Sequence, residues 1–230
     1  MLGMLPFITL FLAILLSTAW RGRTIDALLY AVIGWGVYLA LISEVLGALG
    51  WLRFAPILAA WGLPVLALAA GLLRQGWRRL AAWPFAPPFS PIERLILIVA
   101  GLFIGVLLVI AWVAPPNNND ALAYHLPRVM HWAQNGSLAH YPVAYEFQLH
   151  NAIWAELVIL HTFILGGTDQ FANLVQWLSL VGCLALAVGI AAQLGAGRVG
   201  RLLAAVFVLT IPMGILQASA PKPIMWPLSG

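Results

Sequence analysis

Asp120, Tyr124, Arg128, His131 and Asn135 recur at three- to four-residue steps, and a helix of 100° per residue gathers them on an arc about 80° wide. Such an arc aims an acid, a phenol, a guanidinium and an imidazole one way, while Leu122, Leu126, Val129, Met130 and Ala133 take the other side. A carboxylate so placed can act as a general base, taking the proton from an attacking hydroxyl. Asp120 also has a plainer use, because Asp ahead of an apolar periodic stretch is a favoured helix N-cap. Arg128 reads either as a residue snorkelling to a membrane interface or as a phosphate clamp, to which its planar fork is matched. Pro127 is expected to kink the helix.

All five histidines (125, 131, 140, 150 and 161) lie in the segment that Asp120 opens. No pair has the i, i+4 spacing around a Glu that marks a zinc protease, and interfacial hydrogen bonding is the ordinary use of each. Glu146 and Glu156 are candidate second acids, with solvated loop and helix-face positions as the plainer reading. Asp169, beside Gly166-Gly167, reads as the cap of the next helix.

The elements that must position these groups are set by composition. The 230 residues are 63% hydrophobic and 8% charged, with a mean hydropathy of +0.98. Soluble domains carry roughly 25% charged residues, so there is too little polar surface to cover a water-facing globule. The fold class is therefore all-α, a polytopic helical membrane protein. Six runs are long enough to span, at about 20 residues each: 3–20, 25–49, 54–73, 92–114, 171–194 and 199–217. Pro56, Pro64 and Pro212 are acceptable inside them because neighbouring helices can satisfy freed backbone groups. Trp20, Trp51, Trp77, Trp83 and Trp112 suit span ends. Basic residues cluster at those ends, which excludes nucleic acid as a partner. Cys183 alone excludes an intrachain disulfide and a cysteine zinc site.

Arginines set the orientation. If Arg21, Arg23, Arg74, Arg78, Arg79 and Arg94 are cytoplasmic, the fourth span exits to the outer face and the loop 115–170 lies outside. Arg198 and Arg201 are then inside, and Arg53 is the one basic residue on the wrong side. The apolar run Ile153–Leu165 is too short to span, at about 13 residues, and carries Glu156 and His161. It is expected to be an interfacial or re-entrant helix that returns to the same side. Around the sequence Ala86-Pro87-Pro88-Phe89-Ser90-Pro91 a boundary is expected between a three-span module (1–90) and a core (91–219).

The stretches Pro115–Asp120, Ala121–Trp132, Gln134–Ser137, His140-Tyr141-Pro142 and Gly166–Trp177 together resemble bacterial membrane glycosyltransferases of the GT-C superfamily, similar to protein O-mannosyltransferases and lipid A aminoarabinose transferases. The resemblance covers residues 92–219. It implies a polyprenyl-phosphate-linked sugar donor, a lipid, glycan or protein acceptor, and membrane lipid as surroundings. The site would face the periplasm of a bacterial inner membrane. Asp120 takes the position of the catalytic base, and Asn119, Tyr124, His125, Arg128, His131 and Gln148 would bind substrate. Some members use a divalent metal, Mg or Mn. The chain departs from the family at Phe147, where members often carry Arg, and in the three spans that precede the first core helix. Two rival readings are a transporter or flippase for a lipid-linked substrate and a non-catalytic membrane scaffold.

Residues 220–230 read as an out-of-frame tail. Codons for Pro221 to Pro227, read two bases later, permit Gln-Thr-Asp-Tyr-Val-Ala, and family members resemble this at the same place. The chain is therefore expected to be an N-terminal part of such an enzyme, inactive alone. Sequencing the coding DNA tests this: further hydrophobic spans should follow in the alternative frame, and an immediate stop there would end the idea.

Overall fold

The computed structural model describes residues 1–21, 25–76, 79, 89–116, 118–144 and 146–218. Every regular element among them is helical. Asn117, Arg23, Trp77, Arg78, Trp83, the break at Pro87-Pro88 and the tail from Ser219 lie outside the described residues. Five helices are long and apolar enough to cross a membrane: α1 (Leu5–Arg21, entered through a short turn at Leu2–Met4), α2 (Ile25–Ala48), α3 (Phe54–Gly71), α4 (Pro91–Val113) and α8 (Ala172–Gln193). Between α4 and α8 lie a π-helical turn (Ala121–His125), α5 (Leu126–Asn135), α6 (Phe147–His150) and α7 (Trp154–Gly166). α9 (Arg198–Leu209) and α10 (Pro212–Ala218) complete the chain.

Local chemistry explains where α4 begins. Ser90 Oγ accepts from Glu93 N at 3.3 Å, Glu93 Oε2 accepts from Ser90 N at 2.7 Å, and Pro91 occupies the first turn. This capping box satisfies backbone donors that the helix itself leaves unpaired. Pro64 sits inside α3 without ending it. The expected sixth span, in contrast, is broken: α9 and α10 meet at 69°. Pro212 has no N–H to continue the ladder and disfavours helical backbone at Ile211. The run is therefore a bent pair, and five helices among the described residues are long and apolar enough to span on their own.

Contacts sort the helix ends onto two sides. At one side, Arg198 lies 3.4 Å from Glu93, and Arg79 stacks 4.1 Å above the Trp20 ring. At the other, Leu52 N donates to Gly136 O at 3.0 Å, and Asn173 Nδ2 donates to Ala114 O at 2.8 Å. The segment after α4 thus shares its side with the α2–α3 turn and the start of α8. The outward faces of the long helices carry exposed Ile33, Leu63, Leu66, Leu102 and Val109, as a lipid-facing surface requires.

Of the two expectations for α7, interfacial or re-entrant, the interfacial one does not hold. Eight of its 13 residues are buried, including Glu156 and His161, and it packs on the N-terminal turn and on α2, α3, α5 and α8. A helix apolar all round belongs in a core rather than at a boundary. Its contacts unite the first three helices with the later ones in one cluster that includes Trp35, Trp61, Trp132, Leu160 and Val175. His161 is accommodated by pairing both ring nitrogens. Trp61 Nε1 donates to Nδ1 at 2.8 Å, Nε2 lies 3.1 Å from Ser43 Oγ, and the Ser43 hydroxyl bonds Leu39 O at 2.7 Å. Because indole can only donate, this imidazole is held neutral with its hydrogen on Nε2.

Within a bilayer, helices gain little hydrophobic energy from one another, so small residues that permit close approach carry much of the packing. Gly3 is the tightest such point. A Cβ there would fall 2.5 Å from Phe171 Cε2 and 2.9 Å from the Thr162 carbonyl oxygen, and the backbone oxygen cannot move aside. Gly3→Ala should lower stability by about 1–3 kcal/mol through overpacking, read as a lower unfolding midpoint in detergent; an unchanged midpoint would show that the N-terminal turn does not dock on α7.

Candidate functional site

Pro127 organises the segment after α4. Its missing N–H leaves the Ala123 carbonyl without a helical partner. The chain responds by widening into the π-helical turn, in which Leu126 N–H bonds Ala121 O. Gln148 supplies the lost donor, its Nε2 reaching Ala123 O at 3.1 Å, while its Oε1 accepts from the Tyr141 hydroxyl at 2.9 Å. Burial pushes the Tyr141 phenol above its ordinary pKa. His131 stacks on the Tyr141 ring at 4.0 Å.

One turn further on lies a buried ion network. Glu156 on α7 holds Arg128 Nη1 at 2.6 Å through Oε2, and His125 Nδ1 at 2.5 Å through Oε1. Arg128 also donates through Nη1 to Asn151 O at 2.9 Å, through Nη2 to Phe147 O at 3.0 Å, and through Nε to Gln148 O. Its guanidinium sits 5.6 Å from the Trp132 ring. The planar fork therefore gathers three carbonyls of α6 and its exit and ties them to α5. Arg128 does not snorkel: it is 1% exposed, and Nε, Nη1 and Nη2 all donate within the protein.

The sidedness expected of an interfacial helix is lost. Tyr124 and Arg128 of the polar arc are buried, with His125 beside them, while Asn135 is exposed; on the apolar side Leu122 is 56% and Met130 40% exposed and Val129 is buried. The reason is Glu156, whose buried carboxylate draws the cation and imidazole into the core. Of the two sequence-based readings of Glu156, a second acid or a solvated helix-face residue, its burial overturns the solvated one. A lone carboxylate in a short, largely apolar helix was the available signal that it needed a partner.

The other candidates separate. Asp120 is half-buried beside the turn, Asn119 is exposed, and His140, His150 and Glu146 are exposed. Asp120 makes no side-chain cap bond to the turn that follows it. Asn118 does that work instead, its Oδ1 accepting from Ala121 N at 2.7 Å. Asp169 contributes only its backbone carbonyl, 2.9 Å from Ala172 N, because α8 starts at Phe171-Ala172 without a side-chain cap. A cavity of about 220 Å³ lies against Arg128, Trp132, Tyr141 and Gln148 and opens toward Glu44 and His140. Among the described residues no three His, Cys, Asp or Glu side chains are placed to hold a metal ion.

No protein-family model, curated protein or solved structure matches this chain. The chemistry of the segment rests on its own geometry.

The network yields a sharp expectation. Glu156→Gln leaves Arg128 buried without a counter-charge, and breaking a buried pair this way typically removes about 3–5 kcal/mol. Thermal unfolding in detergent should show that loss for Glu156→Gln, with little change for Glu146→Gln at the surface; equal midpoints for both would mean the pair contributes nothing.

Proposed function

We propose that this chain belongs to a GT-C-type membrane glycosyltransferase that moves a sugar from a polyprenyl-phosphate donor to a hydroxyl of a lipid, glycan or protein acceptor. The reaction would take place at the membrane face where Asp120 lies, the periplasmic face of a bacterial inner membrane. The observation that carries this reading is the state of Asp120. It stands half-buried just past the end of a 23-residue apolar helix, and Asn118 relieves it of capping. A carboxylate in that position can receive a proton from a hydroxyl arriving from water while the lipid part of a donor stays among the helices.

In the proposed step the acceptor hydroxyl gives its proton to Asp120. Its oxygen bonds to the anomeric carbon, the carbon–oxygen bond to phosphate breaks, and polyprenyl phosphate leaves with inversion at the sugar. An apolar groove of about 410 Å³ between α1, α4 and α8, lined by Phe7, Leu108, Trp112, Val113, Leu174 and Trp177, suits an isoprenoid chain. Arg128 does not serve the donor phosphate in this scheme, since its donors hold carbonyls and Glu156. It acts instead by bracing α6 against the turn that follows Asp120. The broken pair α9–α10 is the one feature that favours a transporter. However, the groove beside the break is lined by Leu95, Ile96, Val99, Phe103 and Leu209, with Thr210 as its polar member, which offers little to a polar substrate.

The test is transfer of labelled sugar from polyprenyl-phosphate hexose in membranes carrying this protein. Asp120→Asn should lower the rate at least about 100-fold, the usual worth of a positioned general base. Transfer at the wild-type rate by Asp120→Asn would refute the assignment.

A further inference from the structure

Glu44 is an acid in an unusual place. Of the acids on the five helices long enough to span, Asp26 and Glu93 lie in first turns, whereas Glu44 stands one turn before the end of α2. The ion pairs among the described residues join Glu156 to His125 and Arg128, and Glu93 to Arg198; none involves Glu44. α2 has no basic residue in its last turn to answer it. Val37, Leu41 and Ala48 share its side of the helix, and all are exposed, as residues facing lipid are. An ionisable residue inside a span is costly, and it ordinarily has a partner or borders a cavity that takes a ligand.

Glu44 does border a cavity, the space of about 220 Å³ whose mouth it shares with His140. The polar groups deeper inside are already engaged. Arg128 holds Glu156 and three carbonyls, the Tyr141 hydroxyl donates to Gln148, and Gln148 donates to Ala123 O. Leu138, Leu149, Ile153 and the Trp132 ring complete the walls. Arg128 and Glu156 cancel in charge, which leaves the Glu44 carboxylate uncompensated. Such a site repels an anion and offers a sugar hydroxyl few open partners. A primary ammonium supplies both the missing charge and N–H groups for a carboxylate that can only accept. A quaternary ammonium brings the charge without a donor. The mouth opens beside a lipid-facing stripe, and Trp51, exposed just beyond α2, belongs to the residue type that sits at headgroup level.

We propose that this cavity binds the primary ammonium of a phospholipid headgroup of the phosphatidylethanolamine class, with Glu44 as counter-ion and His140 beside the adjoining phosphate. Asp120 does not line the cavity, and the proposal stands independently of the sugar-transfer reading. No covalent bond changes.

Native mass spectrometry of the full chain in detergent, with phosphatidylethanolamine and phosphatidylcholine of identical acyl chains, provides the test. The ethanolamine lipid should bind at least about tenfold more tightly, the strength of a charge-assisted hydrogen bond. Glu44→Gln should bring the two lipids level while the unfolding midpoint stays at the wild-type value, because Glu44 is exposed. Glu146→Gln, an exposed acid outside the cavity, should keep the preference. Equal binding of both lipids by wild type, a preference that survives Glu44→Gln, or the same loss in Glu146→Gln overturns the proposal. Glycerophosphoethanolamine, the headgroup without acyl chains, should compete at least about tenfold less well than the lipid; equal competition would assign the site to a soluble amine and sink the lipid assignment.

Discussion

The arrangement on the Asp120 side depends on one carboxylate in the wrong solvent. Glu156 is buried in a helix that carries no other charged side chain, packed within the core. An ionised carboxylate in such surroundings is tenable only if its charge is matched and its lone pairs are filled. Arg128 supplies the charge, and His125 supplies a second hydrogen bond. Once Arg128 is committed, its remaining donors determine where the backbone of 147–151 can lie, because a fork of fixed geometry accepts carbonyls from few directions. The direction of α5 follows from the same pair, as does the burial of its polar face.

Bracing and chemistry are thereby divided among neighbouring residues. Arg128, Gln148 and Tyr141 are spent on holding α5, α6 and the π-helical turn together. Asp120 stands half-buried beside them, at the head of the turn they brace. Proline is the reason that the division is possible. By removing one N–H, Pro127 exposes the Ala123 carbonyl, and the Gln148 amide that fills the gap becomes a cross-link between distant stretches of chain. A break in the helix has become a joint.

Much of the frame was legible beforehand. The long apolar runs at α1 to α4 and α8 need only composition and length to be recognised, and the Ser90–Glu93 box marks the start of α4. Prolines were harder. Pro64 is absorbed within α3, whereas Pro212 ends a helix and bends the chain by 69°. The difference lies in what packs around each residue, which local sequence does not contain. The polar arc of Asp120, Tyr124 and Arg128 was also legible as an arc. Its direction was not, because periodicity establishes that a helix has two faces without stating which one meets the core.

The sequence alone determined that the chain is helical and membrane-spanning, since 63% hydrophobic residues in long uncharged runs admit no other way of satisfying the backbone. It also determined that ionisable groups gather between the fourth span and α8. The tertiary structure decided which of them are partners. Arg128 and Glu156 are 28 residues apart in the chain, and Gln148 lies 25 from Ala123. Such pairings depend on α7 entering the core, where its apolar surface meets α2, α3, α5 and α8, and its own thirteen residues do not name those neighbours. The opening acid, Asp120, was visible from the start; the base of support behind it, Glu156, became visible only once the helices were packed.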